Sequence, residues 1–149
     1  MKACEGRIGR VFVIRLEDGD VVPRCIERFA EEKGVSVGHA ILVGGIGGGD
    51  VVVGPRRSEE RPPEPVLLPI EGAHEVVGVG VLAPDEHGKP VLHIHAALGR
   101  AGRTMTGCLR QGVTTWLVGE VILYEILGAD VARIQDKQSG FALLEPGVR

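Results

Sequence analysis

Apolar and polar residues alternate along most of this chain, and that alternation predicts strands. Residues 8–16 (IGRVFVIRL) are rich in β-branched side chains and read as the first. Asp20 is then placed to cap a helix reaching Lys33, because Val22, Cys25, Ile26, Phe29 and Ala30 recur at three- and four-residue steps. Pro23 falls in its first turn, where proline is tolerated, and Gly34 supplies the stop. Further strands are expected at 39–46, which runs into the cluster G-I-G-G-G, and at 50–54, 66–70 and 74–83. The stretch from Pro55 to Pro65, rich in proline and charge, reads as a surface loop. Residues 91–98 and 104–110 pair as a hairpin around G-R-A-G-R. Residues 116–127 suit a long strand or a helix, and Val118, Val121, Ile122 and Tyr124 favour strand. The tail, 130–145, reads as strand and turn.

One helix among many short strands excludes a doubly wound parallel sheet, which needs strands and helices in alternation. The expected class is α+β: an antiparallel β-sheet flanked by few helices. No internal repeat or domain boundary is visible, so residues 1–149 are expected to form a single domain.

Composition narrows the function. Only 3% of residues are aromatic, so Val, Leu and Ile must fill the core. The formal net charge is −3, which speaks against autonomous DNA binding, since phosphate neutralisation supplies most of that affinity. Three cysteines, widely spaced and odd in number, argue against a disulfide framework and for a reducing interior. The start, MKACEGRIGR, lacks an apolar leader core, and no apolar run approaches the roughly 18 residues of a membrane span. The expectation is a cytoplasmic protein with no membrane association.

The most specific chemical signal is His93-Ile94-His95. Residues two apart on a strand face the same side, so both imidazoles project together. The returning strand of the hairpin carries Cys108. If Leu98 sits opposite Met105, His95 faces Cys108; if it sits opposite Arg103, His93 does. An even register instead sets Ile94 opposite the thiol and dissolves the cluster. Two histidines and a cysteine suit zinc, and three protein ligands leave a fourth position open. Arg110 shares the face of Cys108 and is placed to hold a carboxylate or phosphate beside the ion. Glu120 is the candidate acid or base, although a charge on an edge strand explains it equally. The bland alternative is that H-x-H lines a strand without metal and Cys108 is a small buried hydrophobe.

Other signals are weaker. G-G-I-G-G-G (44–49) lacks phosphate-loop spacing, and a bulged bend or a subunit contact explains it better. His39, His74 and His87 read as ordinary strand or turn histidines. No nucleophile elbow, H-E-x-x-H or Walker pattern is present.

At these residues the chain resembles the PPC (plant and prokaryote conserved) domain family from about Gly9 to Gly128. The likeness rests on element order: Asp-Gly-Asp before a helix ending in Glu-Lys-Gly, then Gly-Gly-Ile-Gly-Gly-Gly and Val-Val-Val-Gly. Gly88-Lys89-Pro90-x-x-His93-x-His95, Gly107-Cys108-Leu109 and Gly119-Glu120-Val121 follow. The resemblance implies a homotrimer and a metal-binding role for His93 and His95. The family commonly has histidine where Cys108 stands, so the metal site here is softer. The fold is also similar to that of zinc-dependent acetolactate decarboxylases, which makes a metal-dependent enzyme on a small oxyacid an alternative. In plants the PPC domain accompanies AT-hook segments of DNA-bound regulators, and prokaryotic members carry the DNA-binding description on that basis; this chain has no R-G-R-P hook. Three readings therefore stand: a zinc-capable protein binding a small anionic ligand or a partner, with a link to DNA regulation; an enzyme using Arg110 and Glu120; and a purely structural trimeric module.

Overall fold

The computed structural model describes residues 1–110 and 112–148. The elements run β1 (Arg7–Glu17), β2 (Val21–Val22), α1 (Arg24–Lys33), β3 (Gly38–Gly48), β4 (Asp50–Pro55), β5 (Pro65–Pro69) and β6 (His74–Pro84). They continue with β7 (Pro90–Arg100), β8 (Arg103–Leu109), β9 (Val113–Leu127), β10 (Val131–Gln135) and β11 (Ala142–Pro146). The main sheet has the order β1-β9-β3-β6-β7-β8-β4-β5, with β2 attached to β9 and β10–β11 forming a separate ribbon. Neighbouring strands of this sheet pair antiparallel, as the alternation predicts.

One face of the sheet makes the core. Leu42, Val76, Leu82, Ile94, Leu98, Val121 and Leu123 point there and are almost wholly buried. Helix α1 lies on that side, sinking Ile26 and Ala30 and setting Phe29 edge-on to Phe12 at 5.2 Å. Gly34, at φ 65°, ends the helix; the amides of Gly34 and Val35 return to Glu31 and Ala30.

The helix starts later than its periodicity predicts. Val21 and Val22 pair with Thr114 and Val113 as β2, and Pro23 occupies the N-cap position. The Asp20 carboxylate accepts the Glu17 amide at 2.8 Å, so it serves the preceding turn instead of α1. Sheet pairing satisfies backbone groups of Val21 and Val22 that a helix's first turn would have left without an intrahelical partner.

The glycine run is a bulge. The β3–β9 register slips between Gly44 and Ile46 and again before Gly48. A Cβ on Gly45 would lie 2.3 Å from the Trp116 carbonyl, so only glycine lets β9 approach there.

Among the described residues, the other face of the sheet is largely uncovered, apart from its end at Ala83, which packs against Val131 of β10. Val11, Val13, Val43, Val77, Val79 and Val81 stand on it, with Val13 82% and Val77 62% exposed. His93 and His95 belong to this face, beside Val81 and Val79. No helix among the described residues is long and apolar enough to cross a membrane.

Candidate metal centre

The β7–β8 register decides the site. Leu98 sits opposite Met105, and so His95 sits opposite Cys108. This is the first of the registers that bring the thiol to the imidazole face. The hairpin closes at Arg100 and Arg103 through Ala101 and Gly102, both at positive φ. That is the geometry of a two-residue turn twisted to match its strands.

His93 Nε2 and His95 Nε2 lie 3.1 Å apart, their rings edge-on at 85°. With Cys108 Sγ, the ligand atoms all fall within 4.8 Å of one another. A tetrahedral zinc at about 2.0–2.3 Å from its ligands separates them by about 3.3–3.6 Å. The observed spacing brackets that value, so small rotamer shifts would complete the set. The donors fit as well: two imidazoles and a thiol are borderline-soft ligands of the kind zinc prefers.

The electrostatics disfavour charge on both the His93 imidazole and the Cys108 thiol. Burial pulls the His93 pKa below its ordinary value, and the positive charges of Arg133, His95 and Arg110 push the same way. A neutral imidazole keeps its lone pair free for a metal. Burial raises the Cys108 thiol, while Arg110 and Arg133 partly oppose it. The thiol is 6% exposed at the floor; both imidazoles are exposed at the mouth.

The chain matches the Plants and Prokaryotes Conserved (PCC) domain over residues 3–127. It belongs to that family. This is the PPC family that the Gly-Lys-Pro-x-x-His-x-His stretch resembles. The PCC fold returns in solved structures. The metal-containing protein AF0104 of Archaeoglobus fulgidus is 27% identical, with a TM-score of 0.84 over 97% of this chain and 99% of that one. A plant- and prokaryote-conserved protein of Pyrococcus horikoshii is 22% identical, with a TM-score of 0.83 over 97% of each chain. A Bacteroides thetaiotaomicron protein, provisionally described as DNA-binding, is 16% identical, with a TM-score of 0.77 over 94% and 96%. No protein of curated function matches the chain in sequence.

Not every sequence-derived candidate joins this PCC cluster. Arg110 does: it follows β8 immediately, is exposed, and its charge is felt at both His93 and Cys108. Glu120 does not, and its expected role beside the metal is corrected on that point. It pairs with Arg15 and Val43 on β9, and β3 and β6 separate it from β7. Three strand spacings amount to about 14 Å, too far for proton transfer within one subunit. His74 closes on the Gly72 carbonyl at the far end of β6, and His87 sits in a turn held by Asp85. His39 shares the exposed face but pairs with Val81 and Tyr124, outside the cluster.

Two residues escaped the sequence reading. Glu27 of α1 accepts the Leu92 amide at 2.9 Å, just beyond the last β7–β8 pair, and steadies the strand that carries both histidines. Arg133 of β10 donates to the carbonyls of Val81 at 2.8 Å and Val91 at 3.3 Å. Its signal was visible: an arginine inside the apolar run Val131–Ile134 needs a buried reason to be there.

Proposed function

We propose that this PCC-domain chain is a cytoplasmic homotrimer that holds zinc on His93, His95 and Cys108 and presents the open position to a small anionic ligand. The observation that carries the reading is the convergence of three ligand atoms within 4.8 Å on paired strands. The description of the archaeal relative as metal-containing supports it. A bound zinc would supply a Lewis-acidic position where an oxyanion can sit. The chain's own part is to hold the ion from one side and to set Arg110 beside it. A reducing compartment keeps Cys108 available as a ligand.

Binding is preferred over turnover, because among the described residues no carboxylate joins the cluster. Direct contact with DNA draws no support from a net charge of −3.

Protein purified without a histidine tag should carry about one zinc per chain, or take it up after chelation. Metal analysis by mass spectrometry checks this. Metal-free protein that refuses added zinc would leave only the architectural module.

The valine face supports association of chains, since contiguous exposed apolar patches are uncommon on monomers; the count of three is taken from the family resemblance. Light scattering is expected to give three times the 15.8 kDa chain mass. Val77→Asp should break the assembly with little effect on chain folding, because Val77 is 62% exposed. A monomeric wild type, or an unchanged mass in the variant, refutes assembly through this face.

A further inference from the structure

Arg133 is buried to within 6% of its surface, yet no carboxylate lies within ion-pair distance of it among the described residues. Leaving a cation so placed is costly unless something balances it. Glu27 pulls on it only from beyond ion-pair distance, while its Oε1 accepts the Leu92 amide. The guanidinium spends Nε and Nη2 on the carbonyls of Val91 and Val81. Val81 is the cross-strand neighbour of His93, and Val91 precedes it by two residues on the same strand. The charge of Arg133 is felt at both His93 and Cys108. The cation is therefore pinned at the edge of the ligand cluster, with Nη1 left over.

A divalent ion with one thiolate keeps a net charge of about +1, and Arg110 and Arg133 raise the local surplus to about +3. Such a site lacks an anion. Arg110 is exposed at the mouth and free to swing, whereas Arg133 is fixed by two bonds and offers a planar donor edge. A planar, pre-organised guanidinium holds an oxyanion by two parallel bonds, which the point charge of a lysine cannot do, and a flat carboxylate is the smaller anion to seat between it and the metal position.

We infer that Arg133 is the specificity-determining residue of a small-carboxylate subsite formed with the metal's open position. This deepens the zinc reading and rests on it. A carboxylate bound there would be held by Arg133, with Arg110 closing over it from solvent. No bond is made or broken in this role.

Zinc uptake is measured first, and oxalate is then titrated by calorimetry, with inorganic phosphate in parallel. Oxalate is expected to bind the zinc-loaded wild type more tightly than phosphate, with zinc retained after desalting. Arg133→Lys keeps the positive charge and loses the fork; oxalate affinity should fall about tenfold or more while zinc stoichiometry holds. Arg110→Gln, at an exposed position, should weaken oxalate less. A purely structural Arg133 would lower the melting temperature of Arg133→Lys without moving oxalate affinity, and that result overturns the inference. So does zinc-loaded protein that ignores oxalate, or that prefers phosphate. Failure to take up zinc at all is a separate outcome that sinks the metal reading and the subsite with it.

Discussion

His95→Ala should leave the protein folded and weaken zinc binding by roughly a hundred- to a thousandfold. Four-ligand zinc sites bind with roughly 10–16 kcal/mol, so one ligand is worth about 2.5–4 kcal/mol, which corresponds to that loss. The fold should not notice, because His95 is exposed and its strand is held by main-chain pairing to Val79 and Cys108. Exposed substitutions of this kind usually cost within about 0.5 kcal/mol. Competition against a chromophoric chelator reads the affinity, and a thermal melt of the metal-free protein reads the fold. Cys108→Ser makes a matched test from the other strand, since a hydroxyl of similar size is a poor zinc ligand. Unchanged zinc affinity in both variants would mean that the three side chains meet without purpose.

Gly107→Ala should damage stability and site together. A Cβ on Gly107 would stand 2.2 Å from the Val52 carbonyl oxygen and 2.7 Å from Val51 Cγ1. The first obstacle is backbone, so it has no rotamer to give way. Among the described residues, strand β4 is held to β8 through Val51–Leu109 and Val52–Cys108, directly beside the intruding methyl. Either β4 lifts away or β8 shifts, and the shift moves Cys108 off the histidines. Overpacking of this kind costs about 1–3 kcal/mol, which for a chain of this size lowers the melting temperature by several degrees, about 2–4 °C per kcal/mol. Zinc affinity should fall as well, although Gly107 is not a ligand. Gly99→Ala is the control: its Cβ would meet nothing closer than 3.9 Å, so melting and zinc affinity should both hold. Equal behaviour of the two variants would contradict the tight approach of β4 to β8.

The contrast between these glycines shows what could be read early and what could not. Both sit in strands of the same hairpin, and nothing in the residues around them separates a crowded position from an open one. The long strands were legible because Val, Ile and Leu alternate with polar residues over whole elements, as in β6 and β9. The start of α1 was not, because Val21 and Val22 suit a helix turn and a strand equally, and pairing with β9 settled it. The distance of Glu120 from the histidines was not legible either, because β3 and β6 come between β9 and β7.

By itself the sequence determined that the chain forms an antiparallel sheet with one main helix, and that His93 and His95 share a side. Both follow from local periodicity, which needs no partner. Whether Cys108 joins them was left among three registers, because Ala101 is an unusual residue for a positive φ and so conceals the two-residue turn. Only tertiary structure chose among them, and only tertiary structure brought Arg133 and Glu27 to the cluster. Contacts between residues far apart in the chain are set by packing of whole elements, and no short stretch of sequence records that.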